Sequence, residues 1–191
     1  MSRIADFKAQ MANGGTRSNQ FRVQINTPAG INIDRNVGTD VTRNVGIMCS
    51  AASLPAVNVD PVTVMYRGSP VNFAGERTFE PWTVTIINDM KGNINDLRNA
   101  FESWQGIMHA YEGSNGETLA SAYQADMSVF QLDRNENILK SYRFYDAFPI
   151  SVGQIGLSYD NSSIQTFDVT FMYNYYIPDL TTAVMATPQA V

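Results

Sequence analysis

The chain has one cysteine, Cys49, and one histidine, His109, in 191 residues. A single cysteine excludes an intrachain disulfide. The two residues together fall short of a structural zinc site, which takes four N or S ligands. No apolar run approaches the roughly 18–20 residues of a helical membrane span. The first residues, Met1-Ser2-Arg3-Ile4-Ala5-Asp6-Phe7-Lys8, lack the apolar stretch of a secretory signal. The chain is therefore expected to be made inside a cell and to carry no lipid anchor.

Charge is also scarce. Asp, Glu, Lys and Arg make up 16% of the chain, against about 25% in an ordinary soluble domain. Two readings fit this. Partner subunits cover much of the surface, since interface cores are poor in charge and rich in aromatics. Alternatively, a β-rich domain uses Asn, Ser and Thr as its polar surface. The net charge of −5 is uneven. Residues 1–43 carry six basic and three acidic residues, or +3, and the remainder carries seven and fifteen, or −8. Nucleic-acid grip needs clustered Lys and Arg; here they are isolated in an acidic body. A basic N-terminal segment and an acidic body are suited to attract each other between copies.

Motifs for chemistry are missing too. There is no G-x-S-x-G elbow, no P-loop and no G-x-G-x-x-G after a strand. Asp133-Arg134-Asn135-Glu136-Asn137 starts like a calcium loop, but Ile138 stands where the loop needs Gly and Phe144 where it needs Glu. This stretch reads as a hairpin turn. Asn161-Ser162-Ser163 matches a glycosylation sequon, which means little without a secretory signal. His109 lies beside the apolar stripe of a predicted helix and has no paired constellation. No enzyme activity, cofactor or metal is expected.

What is present is mostly strand. Residues 1–12 form a short amphipathic helix on Ile4, Phe7 and Met11, ended by Asn13-Gly14-Gly15. Phe21–Ile25 alternates as a half-buried strand. Residues 31–44 read as a loop and Val45–Ala52 as a buried strand. Val57–Asp60 and Val62–Tyr66 are strand pieces with Pro61 at an edge or bulge. Gly68–Gly75 reads as a turn-rich connection, and Trp82–Ile87 as a β-branched strand. From Asn93, a plausible N-cap, the apolar positions Ile94, Leu97, Phe101, Trp104, Met108 and Tyr111 form one helical stripe, ended by Gly113–Gly116. Met127–Leu132 and Ile138–Phe148 flank the polar turn. Ile164–Tyr176 alternates for thirteen residues, beyond the usual strand of about 5–6, so it spans more than one sheet or extends a sheet shared with neighbours. The fold class is mainly β (α+β): two packed antiparallel β-sheets forming a sandwich or barrel-like domain with one flanking α-helix. The expected organisation is an N-terminal arm at 1–18, a β domain at 19–177 and a loose C-terminal tail at 178–191.

One block is more specific. Phe73-Ala74-Gly75-Glu76-Arg77-Thr78-Phe79-Glu80-Pro81-Trp82-Thr83-Val84-Thr85, followed by Phe101-Glu102-Ser103-Trp104-Gln105 and Ile164-Gln165-Thr166-Phe167-Asp168-Val169-Thr170, resembles the major tail tube proteins of contractile-tailed bacteriophages. Asn19-Gln20-Phe21-Arg22-Val23 and Ala51-Ala52-Ser53-Leu54-Pro55 fit the same pattern. The resemblance covers about residues 19–176 and leaves both ends uncovered.

The resemblance implies a structural subunit of the virion tail, assembled in the bacterial host cytoplasm. Copies would form homohexameric rings stacked into a tube inside a contractile sheath, with baseplate and tail terminator proteins at its ends. DNA would pass without sequence-specific binding. Tubes of type VI secretion and extracellular contractile injection systems, and tube initiator or terminator proteins, are the alternatives within the same fold. A soluble monomeric binding domain is the alternative outside it. Arg67, Phe73, Glu76, Arg77 and Phe79, in or beside the specific block, are the candidate subunit-interface residues, with Glu76 and Arg77 pairing across copies. An ordinary intrachain turn with a surface ion pair is the other reading of the same residues. Trp82, Phe101 and Trp104 are assigned to the core.

Overall fold

The computed structural model describes residues 3–11, 15–28, 41–88, 96–113, 115–160 and 162–178. In chain order these form helix α1 (Arg3–Gln10), strand β1 (Phe21–Ile25), helix α2 (Val41–Met48) and strands β2 (Cys49–Ala52), β3 (Val57–Tyr66), β4 (Ser69–Phe79) and β5 (Trp82–Ile87). Helices α3 (Asp96–Met108) and α4 (Ala120–Tyr123) follow, then strands β6 (Ala125–Leu132), β7 (Ile138–Val152), β8 (Thr166–Met172) and β9 (Tyr175–Pro178).

Two antiparallel sheets share one strand. The pairing path runs β1-β6-β7-β8-β5-β2, with β9 added to β7 and with β3–β4 as a separate two-stranded ribbon. The first part of β7 pairs with β6 and β9, while Phe148–Val152 pairs with β8. Fifteen residues let β7 serve both sheets. The change of sheet falls at Asp146, whose φ of 55° puts it in the left-handed region, disfavoured for a residue with a Cβ but most accessible to Asn and Asp. Asn174 holds the corner. Its backbone N–H donates to the Tyr145 carbonyl (3.1 Å) and its Nδ2 donates to Asp146 Oδ2 (3.0 Å).

Alternation decides which side chains turn inward. Val23, Val129 and Tyr142 form one register row across β1, β6 and β7, and Ile25, Met127 and Phe144 form the next. Trp82 faces Phe171, Val84 faces Val169, and Ile86 faces Phe167 across β5 and β8. All twelve are buried. The Trp82 ring stacks on Phe144 at 4.5 Å and so ties one sheet to the other. Helix α3 contributes Leu97, Phe101 and Trp104 to the same core. Phe101 meets Phe167 and Phe171 edge-on, at 6.4 and 5.9 Å. Both indole N–H groups are satisfied: Trp82 Nε1 donates to the Ser53 carbonyl and Trp104 Nε1 to the Tyr123 carbonyl, each at 2.7 Å. Arg98, on α3, donates to the Gly153 carbonyl (2.8 Å), pairs with Glu102 (2.7 Å) and lies over the Phe167 ring.

The fold class matches the expected one, and the differences are local. Val45–Ala52 is not one strand: Val45–Met48 closes helix α2 and only Cys49–Ala52 is strand. Apolar character was right, since Val45 is fully buried, but Val45, Ile47 and Met48 fit either period. Gly68–Gly75 is not a connection but most of strand β4. Helix α3 ends at Met108, so Tyr111 falls outside it, exposed, with its hydroxyl donating to the Glu102 carbonyl at 3.0 Å. The long alternation at Ile164–Tyr176 is two strands broken at Tyr173-Asn174, and it does pass from one sheet to the other. Met127–Leu132 begins two residues earlier, and β7 runs four residues beyond Phe148. The proposed cap Asn93 and the tail beyond Pro178 lie outside the described residues.

Trp82→Ala removes the ring that joins the sheets and leaves the Ser53 carbonyl without its donor. A loss of about 3–5 kcal/mol of unfolding free energy is expected, measured by denaturant titration. A loss below about 1 kcal/mol would place the inter-sheet contact elsewhere.

Candidate assembly surface

The β3–β4 ribbon stands apart from both sheets. Its two strands pair with each other and with nothing else among the described residues. Tyr66 and Ser69 are joined by Arg67-Gly68, with φ values of 49° and 83°. Two central residues with positive φ make the type I′ geometry that matches the twist of a two-residue hairpin. Gly68 adopts this freely; Arg67 adopts it at some cost, its guanidinium lying 5.4 Å over the Tyr66 ring.

Register sorts the ribbon into two unlike faces. Val62 lies opposite Phe73, and Val64 opposite Val71, with Tyr66 beside them on the same face. The other face carries Thr63 opposite Asn72, with Thr63 Oγ1 donating to Asn72 Oδ1 at 2.7 Å, and Met65 opposite Pro70. Val62, Val64, Tyr66, Val71 and Phe73 are all exposed; Phe73 is 57% exposed. A run of apolar side chains on one face of an unsupported ribbon is what a monomeric protein avoids.

Near its base the ribbon carries a bulge. The pairing passes from Val59↔Arg77 to Pro61↔Ala74, so Gly75 and Glu76 together oppose Asp60. A Cβ on Gly75 would overlap the Asp60 carbonyl oxygen and crowd Val62. Only glycine fits there. Below the bulge Phe79 turns inward and packs on Tyr173 (5.9 Å) and Tyr176 (5.6 Å). Asn58 Nδ2 donates to Glu80 Oε1 at 2.8 Å. Burial pushes Tyr173 up to about 12, with Tyr176 and Glu80 adding to the effect, so this ring stays neutral beneath the ribbon.

The five candidate interface residues thus fall on one element but not in one patch. Arg67 is at the tip, Phe73 on the apolar face, and Glu76 and Arg77 are exposed at and below the bulge. Phe79 is half-buried and anchors the ribbon inside the subunit. Val62, Val64, Tyr66 and Val71 were not among the expected residues. The alternation Val62-Thr63-Val64-Met65-Tyr66 was visible, but nothing in it said that the apolar side would stay uncovered.

No three His, Cys, Asp or Glu residues among those described stand close enough to hold a metal ion. No helix among them is long and apolar enough to cross a membrane. Desolvation pushes the Cys49 thiol up to about 11, opposed only in part by a hydrogen bond with the Ala51 backbone.

A β-sandwich that projects an uncovered apolar ribbon is the subunit of an assembly rather than a free-standing domain. The chain belongs to the phage tail tube protein family, whose model matches residues 16–179. The tail tube protein gp19 of Enterobacteria phage T4 is 32% identical to it over 136 residues, 70% of this chain and 82% of that protein. The tail tube protein of Serratia phage KSP90 is 27% identical over 169 residues, 87% and 90% of the two chains. Similar folds occur in a chain of the anti-feeding prophage baseplate (TM-score 0.59, 10% identity, 86% of this chain and 95% of that one). Another is in the sheath–tube complex of the extracellular contractile injection system PVC in its extended state (TM-score 0.56, 13% identity, 90% and 96%).

Two outcomes follow. Gly75→Val should unpair the ribbon, seen as faster amide exchange across 57–79, while the thermal midpoint of the domain stays unchanged. Unaltered exchange in that segment would mean that the bulge tolerates a side chain. Cys49 in the folded protein should react with a disulfide reagent at pH 8 on the order of 100-fold more slowly than in the unfolded chain, since only the thiolate attacks. Equal rates would contradict the raised thiol.

Proposed function

We propose that this chain builds the tube of a contractile phage tail. Copies close into homohexameric rings, and the rings stack inside a sheath between a baseplate and a terminator, with DNA as the passenger. The tube is then part of the virion tail and is assembled in the host cytoplasm. The observation that carries this reading is the apolar face of the β3–β4 ribbon, exposed in the lone subunit of a tail tube family member. Ribbon and sandwich differ in shape and chemistry, so a contact between them is heterologous. Heterologous contacts generate closed rings or open filaments, the two levels of order in a tube.

The scarcity of charge supports the same reading, because a subunit covered by ring neighbours, stacked rings and a sheath needs few solvating residues. A phage tube is favoured over the tube of an injection system. Identity to phage tube proteins reaches 27–32%, whereas the chain of the extracellular contractile injection system shares the fold at 13%. Within the ribbon, Arg67, Phe73, Glu76 and Arg77 are the interface residues of this proposal, and Phe79 supports them from beneath. The described part of the N-terminal arm, helix α1, exposes Ile4 and Phe7 and so offers a second apolar contact between copies.

Negative-stain electron microscopy of the purified protein across a concentration series tests the assembly. Hollow tubes or six-fold rings are expected. A protein that stays monomeric at high concentration, with and without an assembled baseplate, would overturn the tube subunit. Phe73→Asp should abolish assembly and leave the unfolding free energy within about 0.5 kcal/mol of the parent's, as for other exposed positions. Normal tubes from this variant would remove the apolar face from the interface.

A further inference from the structure

Strand β1 stands at one end of the pairing path, and β6 is its one strand partner among the described residues. One step beyond the Phe21↔Gln131 pair, Leu132 donates its backbone N–H to the Gln20 carbonyl at 2.9 Å. In an antiparallel pair, residues that exchange such bonds alternate with residues that do not. Arg22 and Gln24 therefore bond to β6, while Phe21, Val23 and Ile25 turn their N–H and carbonyl groups to the open side. Among the described residues, no backbone group bonds to Val23 or Ile25 there.

Such an edge is a template for a strand of another copy. Phe21-Arg22-Val23-Gln24-Ile25 is rich in strand formers, holds neither proline nor glycine, and carries one charge, Arg22. The β3–β4 ribbon has two prolines and a bulge in its strands, whereas the register of β1 is unbroken. What lies on the open side of β1 is helix α2. A Cβ on Gly46 would come within 2.9 Å of the Val23 carbonyl oxygen. That carbonyl is one of the outward groups, so the helix backbone at Gly46 meets the edge itself. Glycine is the residue that lets one backbone approach another so closely. Val45 beside it is fully buried in the core, and Met48 packs against the same core. Helix α2 also reaches β5 and α3, and it runs directly into β2, the strand at the other end of the path. Its position on β1 is thus fixed by core side chains.

We propose that α2 guards the edge of β1: seated by Gly46 on the outward carbonyl of Val23, it denies β1 to a strand of a second copy. Copies of this chain then cannot join by extending the sheet at this end, and attachment is left to other surfaces. A helix suits this task because its N–H and carbonyl groups are largely spent within itself. It covers an edge without presenting a new one. The guard belongs to the folded subunit alone and does not depend on the tube reading.

The test compares the full chain with Gly46→Val, for whose side chain the Val23 carbonyl leaves no room. Sedimentation velocity and electron microscopy should show the folded variant forming dimers or solid, thioflavin-binding fibres beyond whatever the unmodified chain forms. Adding Phe21→Pro should suppress them. Phe21 directs its N–H outward, so a proline there removes a donor from the edge and none from the β6 ladder. Assembly of Gly46→Val indistinguishable from that of the unmodified chain would overturn the guard. Fibres undiminished or increased in the double variant would trace them to general destabilisation and overturn it equally. If Gly46→Val does not fold, amide exchange in the unmodified chain decides. The Val23 amide points outward without an acceptor among the described residues. Covered by α2, it should exchange on the order of 100-fold more slowly than in an unfolded chain. Exchange at the unfolded-chain rate would show an open edge and overturn the proposal.

Discussion

Trp82 stacked on Phe144 at 4.5 Å is the contact on which the two-layer arrangement depends. Trp82 sits at the start of β5, immediately after the ribbon returns to the body of the subunit. Phe144 sits on β7, the strand that both sheets share. One aromatic pair therefore fixes the distance between layers and the place from which the ribbon departs. The Trp82 N–H, held by the Ser53 carbonyl, adds the segment that leads into the ribbon. Phe79 against Tyr173 and Tyr176 completes an aromatic floor under both strands of the ribbon's base. The ribbon is thus held firmly at one end and carries its apolar face out at the other.

The second constraint is the corner in β7. A strand that belongs to two sheets must change direction without orphaning backbone groups. Asp146 supplies the left-handed residue, and Asn174, at the break between β8 and β9, supplies donors to both Tyr145 and Asp146. Both strands that cross between sheets turn at the same point in space. Such a corner is stiff, and stiffness here matters to assembly. If the angle between layers wandered, the outer faces of neighbouring subunits would not meet in a constant register.

Much of this was legible in the sequence. Phe21–Ile25, Trp82–Ile87 and the polar turn at Asp133–Asn137 were read in place because period-two alternation and turn residues leave little choice. Phe101 and Trp104 were read as buried because they are large apolar residues on one helical stripe. The ribbon that carries the candidate interface residues was half legible. Phe73, Glu76 and Arg77 lay in a block specific enough to notice, but Gly68, Pro70 and Gly75 argued for a loose connection. In fact one glycine makes the tight turn, the other fits a bulge, and Pro70 sits in a ribbon whose edges need no further partner within the subunit. Helix α2 was missed because Val45, Ile47 and Met48 carry no period of their own.

An apolar ribbon that seeks other copies also risks pairing with them wrongly. Exposed strand edges are templates for indiscriminate addition, and a flat strand without markers is free to slip by a residue. The β3–β4 ribbon carries devices against both. Pro61 and Pro70 remove backbone donors from the two strands, and the bulge at Gly75-Glu76 twists the ribbon away from flatness. Asp60, Glu76 and Arg77 place three charges within a few residues of that bulge. Charges at the rim of a contact contribute little affinity, but they penalise the wrong register, since like charges brought together cost more than a matched pair gains. Read this way, Glu76 and Arg77 need not hold rings together by themselves. On the proposed assembly, the apolar face would supply the attraction and the charged bulge would select which of the possible attachments survives. A tube with a single helical geometry requires both, because a strong contact without a register would give aggregates, and a register without a strong contact would give monomers.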